Sequence, residues 1–468
     1  SSIVRMKGRN FMLHKFSMNG INILMDILSG AVHAVDDVAY DIADIYPDEG
    51  VDALCERFSD KYSGEQIEEA VGELEELKEA GLLYTEDEYE QVLEQVKNRA
   101  PVVKALCLHV AHDCNLKCKY CFAEEGEYHG KRSLMSTEVG KKAIDFIIAN
   151  SGNRRNLEVD FFGGEPLMNF EVVKEIVEYG REQEKLHGKN FRFTITTNGV
   201  LLDDEKQKYI NENMHNVVLS LDGRKEINDF MRPRAGGQGS YDLIVPKFQK
   251  LADSRNQTDY YVRGTFTHHN LDFSKDIFHF ADDLGFKQVS VEPVVADSTE
   301  DYAIQEEDLE TIYKEYEKIA EELYIRHKTG EKDFNFFHFM VDLTGGPCVA
   351  KRLSGCGSGT EYMAVSPEGD LYPCHQFVGQ PEFKLGTVFE GIKNNEIREE
   401  FANCNVYTKP DCKKCWAKFY CSGGCMANAS HYAGSIMGTY DIGCKLQRKR
   451  LECAIMIKAK LMLDEAEK

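Results

Sequence analysis

The sequence predicts an α/β protein: a parallel sheet with helices outside, preceded by a small winged-helix-like module and followed by a cysteine-rich region. Three observations carry this. From residue 105, apolar strands alternate six times with amphipathic helices, and parallel neighbours need such crossover connections. Before that point, short apolar runs broken by turn signals give way to helical periodicity. Beyond it, seven cysteines recur at ligand-like spacings over residues 356–444. A chain of 468 residues is long enough for two or three domains, each with its own core.

In the first stretch, residues 11–35 alternate apolar runs with Asn19-Gly20 and Ser29-Gly30, turn signals between strands. Helices are expected over 36–45, 51–62 and 64–80, the last with Ser63 as N-cap and Ile67, Val71, Leu74 and Leu77 on one face. Leu82, Leu83 and Tyr84 read as a short closing strand. A hairpin plus three helices makes residues 1–90 a winged-helix-like module. Its acids, among them Glu65, Glu68, Glu69, Glu73, Glu75 and Glu76, speak against DNA binding. Residues 85–100 are charged and read as a solvated helix, with 91–104 as the connector.

The repeating part spans residues 105–300. Strands are expected over 105–110, 157–161, 191–197, 216–221, 260–266 and 288–292, and helices over 137–149, 170–187, 203–213, 241–253 and 273–284. A helical bridge over 301–345, the cysteine-rich domain over 346–450 and a helix over 451–468 complete the chain.

A formal charge of −23 and a pI near 5.1 argue against nucleic acid or an anionic membrane as partner, whereas a basic peptide would be attracted. No apolar run approaches the roughly 20 residues that span a bilayer, and no signal segment opens the chain, so a cytoplasmic location is expected. The 15 cysteines cluster at metal-ligand spacings rather than forming the framework of a small secreted domain, which fits a reducing compartment.

The sharpest feature is Cys114-x3-Cys118-x2-Cys121, with Tyr120 before the last cysteine. Three thiolates so close in sequence can hold three corners of a 4Fe-4S cube and leave the fourth iron open, whereas four would close it. The alternative is a zinc loop completed by His109 or His112. In parallel sheets, ligands collect at the C-terminal strand ends. The unusual residues fall there: the cysteine loop after the first strand, Gly163-Gly164-Glu165-Pro166 after the second, Thr197-Asn198-Gly199 after the third and Asp222-Gly223 after the fourth.

This cysteine spacing resembles the signature of the radical S-adenosylmethionine (SAM) enzymes, which implies a partial (β/α)6 TIM-like barrel. It also implies that SAM's amino and carboxylate groups chelate the open iron held by Cys114, Cys118 and Cys121. Reductive cleavage of SAM would then yield a 5′-deoxyadenosyl radical that removes hydrogen from an unactivated carbon. By the same resemblance, Gly163, Gly164 and Glu165 would serve the SAM ammonium, a backbone carbonyl or Glu165 accepting its bonds. Ser220 and Arg232 would hold the carboxylate and Asn198 or Thr196 the ribose. The backbone near Tyr120 and Phe122, with Val294, would flank adenine.

Cys356, Gly369, Cys374, Cys412-x2-Cys415-x5-Cys421-x3-Cys425 and Cys444 resemble the SPASM extension of radical SAM enzymes, whose cysteines bind two auxiliary 4Fe-4S clusters; a zinc ribbon would use only four of these seven. The resemblance implies that Cys412, Cys415, Cys421 and Cys444 close one cluster and that Cys356, Cys374 and Cys425 hold the other. The eighth position falls to Cys348 or to a substrate thiolate. With the SAM-binding cluster, the count is three. Cys55, Cys107, Cys404 and Cys453 read as buried small hydrophobes.

The N-terminal module resembles the leader-recognition element found beside enzymes that modify ribosomally made peptides, where the leader adds a strand to the sheet edge; the alternative is a stabilising cap without a ligand. The combination resembles the maturases of thioether-crosslinked peptides of the sactipeptide and ranthipeptide type, most of all those acting on cysteine-rich SCIFF peptides. It implies an oxidoreductase that joins cysteine thiols to acceptor carbons, of a residue such as threonine, in a precursor bound through its leader. An electron donor such as flavodoxin or ferredoxin is implied as well. The nearest competitor is an anaerobic sulfatase maturase, which forms formylglycine and carries an aspartate where His375 follows Cys374 here. A reading from another class is a non-catalytic iron–sulfur electron carrier that docks a peptide.

Overall fold

A computed structural model describes residues 3–4, 11–89, 93, 102–123, 126–128, 130–344 and 349–466. Of the expected connector, only 93 and 102–104 lie among them.

The first sheet is antiparallel, in the order β1 (Ile3–Val4), β2 (Leu13–Met18), β3 (Ile21–Asp26), β4 (Val32–Val35), so the expected hairpin is flanked by one further strand on each side. Asn19 and Gly20, at φ of 48° and 78°, form the two-residue turn between β2 and β3. Helices Asp37–Ile42, Val51–Arg57 and Gly64–Glu79 follow. The last is opened by a reciprocal cap: Ser63 Oγ accepts from the Gln66 N–H at 3.2 Å, and Gln66 Oε1 accepts from the Ser63 N–H at 2.9 Å. The strand expected at Leu82, Leu83 and Tyr84 is instead a bend. Tyr84 takes φ of 54°, its hydroxyl donates to Ala43 O at 2.6 Å, and Leu83 is plugged into the module core.

Strand alternation gives this sheet two buried faces. Leu13 and Leu24 join Val38, Ile42, Leu54, Ile67 and Leu74 in the module's own core. Phe16, Met18, Ile23 and Met25 face the other way and belong to the main core of the molecule.

The second sheet contains β5 (Ala105–His112), β6 (Ser133–Leu134), β7 (Asn156–Gly163), β8 (Asn190–Thr197), β9 (Asn216–Ser220), β10 (Tyr260–Phe266), β11 (Gln288–Pro293), β12 (Asn335–Phe336), β13 (Tyr362–Val365), β14 (Asp370–Tyr372), β15 (Gly386–Thr387) and β16 (Gly391–Ile392). Its order is β12-β11-β10-β9-β8-β7-β5-β13-β14-β15-β16, with β6 paired to β5. Strands from β12 to β13 run parallel and the remainder antiparallel. The six expected strands are all present in an open, partial barrel, with helices Thr137–Asn150, Phe170–His187, Asp204–Asn213 and Tyr241–Ser254 between them. The helix expected over 273–284 is α-helical over Ser274–Phe278 and continues as a π-helical turn over His279–Asp283.

Two features lie outside the sequence reading. β13 adds in parallel to β5, Tyr362 opposite Ala105 and Val365 opposite Leu108, so the cysteine-rich region is stitched onto the barrel sheet. The final helix runs over Asp441–Ala466, so the boundary expected at 450–451 falls inside it and Cys444 sits on its first turn. This helix packs along Leu309–Thr329 and against β2, β3 and β4. Among the described residues, no helix is long and apolar enough to cross a membrane. Cys107, Cys404 and Cys453 are buried, while Cys55 is only half-buried, on a short surface helix.

Candidate active site

The loop after β5 carries Cys114, Cys118 and Cys121. It is strung along the segment after helix Lys225–Met231: the Lys117 N–H donates to Pro233 O at 2.8 Å and the Lys119 N–H to Met231 O at 2.9 Å. The three thiols line a cavity of about 150 Å3 at the C-terminal ends of the barrel strands. Its walls include Tyr120, Phe122, Gly163, Gly164, Glu165, Thr196, Asn198, Ser220 and Arg232, so residues distant in sequence converge on one rim. Val294 does not join them. It is buried just past the end of β11, its N–H donating to Phe266 O at 2.8 Å.

Close backbone approach explains the two glycines. A Cβ on Gly163, at φ of 124°, would lie 2.3 Å from Ala111 O, and one on Gly164 would lie 2.2 Å from Asp113 O. Glu165 is fully buried: Oε1 accepts from the Leu167 N–H at 3.0 Å and Thr197 Oγ1 at 2.8 Å, and Oε2 from the Asn198 N–H at 2.8 Å. Burial raises its carboxyl, opposed by these bonds. Glu165 thereby ties the β7 loop to the β8 loop, so a ligand's ammonium is left chiefly to backbone carbonyls of the glycine turn.

Arg232 is 9% exposed and donates from NH1 to Tyr120 OH at 2.8 Å, while that hydroxyl also bonds both oxygens of buried Asp222, at 2.7 and 2.8 Å. Arg232 Nε and Asn115 Nδ2 are buried without a partner among the described residues. Orphaned donors beside a rim of thiols fit a carboxylate-bearing ligand. Burial pushes the Cys114 thiol up to about 12 and Cys118 to about 11, so these sulfurs ionise only with a metal to take their protons' place.

His109 and His112 do not point at the thiols. His109 Nδ1 and His112 Nε2 lie 3.0 Å apart, and both rings pack on Tyr128 at centroid distances of 4.5 and 4.6 Å. Burial lowers both imidazoles, His112 to about 4. Their mutual bond and their packing on Tyr128 occupy the two rings that a zinc loop would have used.

A second cavity, of about 220 Å3, is lined by Cys412, Cys415, Cys421 and Cys444, with Lys418 and Arg448. Three successive left-handed residues, Ser422, Gly423 and Gly424, reverse the chain after Cys421. Cys374 and Cys425 head the short helices His375–Phe377 and Met426–Ala433 and approach Cys356: burial first, then the neighbouring sulfurs, raise Cys374 to about 12 and Cys425 in the same direction. Cys348 lies outside the described residues. His375 bridges the two regions, its ring 5.7 Å from Phe122 and 5.2 Å from Phe162, both of which line the first cavity.

Comparison with known proteins agrees with this geometry. The model of the radical SAM superfamily matches residues 108–272, and that of the SPASM iron–sulfur cluster-binding domain matches 356–416. The chain carries a radical SAM domain and a SPASM domain. It is 22% identical over 375 residues to the radical SAM cyclopropyl synthase TigE of Paramaledivibacter caminithermalis, covering 75% of this chain and 74% of that one. It is 24% identical over 334 residues to a cysteine-type anaerobic sulfatase-maturating enzyme of Clostridium novyi, covering 68% and 86%. Among solved structures, the radical SAM fold is shared with anSMEcpe bound to AdoMet, at a TM-score of 0.66 and 20% identity over 78% of this chain and 96% of that one. It is shared also with Streptococcus suis SuiB bound to the precursor peptide SuiA, at 0.53 and 16% over 91% and 97%. The resemblance to radical SAM/SPASM peptide maturases thus holds.

The motifs did not single out Leu116, Ala123, Gly126, Tyr128 and Phe162, which also wall the first cavity. Gly126 carried a faint signal as a glycine a few residues past the cysteines; a Cβ there would lie 3.1 Å from Gly164 Cα. Asp222 read as a turn residue and proves to anchor Tyr120.

Proposed function

We propose that this radical SAM enzyme forms intramolecular thioethers between cysteine thiols and acceptor carbons, such as those of threonine, in a ribosomally made cysteine-rich peptide. The observation that carries the reading is the adjacency of two sulfur sets: Phe122, in the wall of the Cys114, Cys118 and Cys121 cavity, packs on the ring of His375, which follows Cys374 in the chain. One substrate segment can reach both. The N-terminal sheet, whose last strand β4 lies at an edge, supports a role in gripping the precursor's leader by strand addition.

In this reading, three 4Fe-4S clusters are held. Cys114, Cys118 and Cys121 hold one, Cys412, Cys415, Cys421 and Cys444 a second, and Cys356, Cys374 and Cys425 a third whose last position falls to Cys348 or to the substrate thiolate. With SAM bound, the first supplies one-electron chemistry able to take a hydrogen atom from an unactivated carbon. The protein's own residues do the positioning. Arg232 and Ser220 meet the SAM carboxylate, the glycine-turn carbonyls its ammonium, and Thr196 or Asn198 the ribose, while Phe122 and Tyr128 exclude water. Electrons come from a carrier of the flavodoxin or ferredoxin class.

A second reading, formylglycine formation, draws support from the sulfatase-maturating relatives. Mass spectrometry of a candidate precursor after anaerobic turnover separates them, since each thioether removes two hydrogens and keeps the sulfur, whereas formylglycine from cysteine loses two hydrogens and also exchanges sulfur for oxygen. Absence of the two-hydrogen loss in a peptide whose leader binds would refute the thioether reading. Cys118→Ala is expected to abolish 5′-deoxyadenosine formation, and retained cleavage would remove that thiol from the site.

A further inference from the structure

The barrel lumen holds a polar pair that the assignments above leave unused. Arg263 on β10 and Glu292 on β11 point to the same inner face as Ser220, because Arg263 is register partner of both Ser220 and Ser290 and Glu292 partners Thr265. The neighbours Tyr260, Val262 and Phe266 are fully buried under the outer helices, whereas the Arg263 and Glu292 side chains are 51% and 36% exposed to the lumen. Arg263 NH2 donates to Glu292 Oε2 at 2.7 Å. That is the one hydrogen bond the described residues give its guanidinium, out of five available N–H donors.

Glu292 is held in place from behind. Arg450 NH1 donates to His338 Nδ1 at 3.1 Å, which puts the ring proton on Nε2, 3.1 Å from Ser290 Oγ and 3.9 Å from Glu292 Oε1. Burial would raise the Glu292 carboxyl, but Arg263, His338 and Arg450 outweigh it and keep it at about 2. The pair adjoins the thiol cavity through Ser220, the register partner of Arg263 on the cavity wall, and the contacts of the His375 ring with Phe122 and Phe162 bring the loop carrying Cys374 to the same cavity.

Resting on the thioether reading, we propose that Arg263 and Glu292 grip the backbone of the substrate segment as it crosses between the two sulfur sets, the guanidinium donating to a peptide carbonyl and the carboxylate accepting from a peptide N–H. A lone arginine would suit a carboxylate ligand. A fixed donor beside a fixed acceptor, neutral as a pair, matches an amide instead. A backbone grip also lets one site process successive cysteines without regard to the side chains between them.

The test uses full-length reconstituted enzyme with its precursor, comparing wild type, Arg263→Gln, Glu292→Gln and the charge swap Arg263→Glu with Glu292→Arg. Iron content and circular dichroism report the fold. The ratio of crosslinked peptide to 5′-deoxyadenosine is expected to fall at least tenfold in both single variants and to stay low in the swap, which restores an ion pair but exchanges donor for acceptor. Anisotropy of a labelled core peptide lacking its leader should show at least fivefold weaker binding in the same three proteins, and this readout needs no turnover. An unchanged ratio and affinity, or recovery in the swap, would reduce the pair to a staple between strands. Selective loss for peptides stripped of acidic residues would make a side-chain carboxylate the ligand and overturn the backbone assignment. A wild-type enzyme that binds the core peptide but yields no two-hydrogen loss would end the thioether reading alone.

Discussion

At Gly164 the backbone runs so near the cysteine loop that any side chain would meet Asp113 O, an atom held by its own peptide. Gly164→Ala must therefore push the β7 loop and the cysteine loop apart, and overpacking against backbone costs about 1–3 kcal/mol. The expected result is a roughly tenfold or greater loss of 5′-deoxyadenosine formation with little change in thermal midpoint; wild-type turnover would mean the loops tolerate separation. A second consequence at this scale concerns pH. His112 and His375 are held near 4 and His338 near 3 by burial, all below the value of about 6.5 expected in the unfolded chain. As pH falls from 6.5 towards 4, the unfolded state takes up protons that the folded state refuses, so stability present above 6.5 is lost through that window, by up to roughly 3 kcal/mol for His112. Denaturant midpoints measured anaerobically at pH 7, 6 and 5 should decline in order, and a flat profile would contradict neutral, buried rings.

Among elements, β2 does two things at once. Its Leu13 packs into the module, while His14 on the opposite face stacks on Trp416 at 3.8 Å and 5° and bonds Glu452 Oε1 at 3.0 Å. Trp416 follows Cys415 directly, and Lys418, nearly fully buried, pairs with Asp87 at 3.4 Å. The sheet proposed to receive a leader thus rests on the segment proposed to hold an auxiliary cluster. His14→Ala would leave Glu452 Oε1 without its hydrogen bond and Trp416 without its stack, a cost of about 2 kcal/mol. Trp416 is the sole tryptophan, so its emission should shift to longer wavelength in this variant, together with a lower thermal midpoint. Unchanged emission would show that the contact is incidental.

For the whole molecule, the two thiol cavities and the Cys356, Cys374 and Cys425 group predict about twelve iron atoms per chain after anaerobic reconstitution. Four or fewer would refute the auxiliary clusters. The same integration changes what removal of residues 1–90 is expected to do. Phe16, Met18, Ile23 and Met25 belong to the main core, so their loss exposes apolar surface on the helix Asp441–Ala466, which also carries Cys444. The truncated chain should lose iron from the Cys412 set as well as affinity for precursor, as read by iron analysis and binding in parallel.

The sequence alone determined the six βα repeats, the cysteine spacings and the residues of the thiol rim, because each rests on local order: a period, a spacing, or a glycine at a strand end. It did not reveal that β13 completes the edge of β5, that Arg263 and Glu292 share the lumen, or that His14 lies on Trp416. Those contacts join positions between about 29 and 402 residues apart. Pairing over such distances is chosen by burial and register once the sheets have formed, and only the tertiary structure decides it.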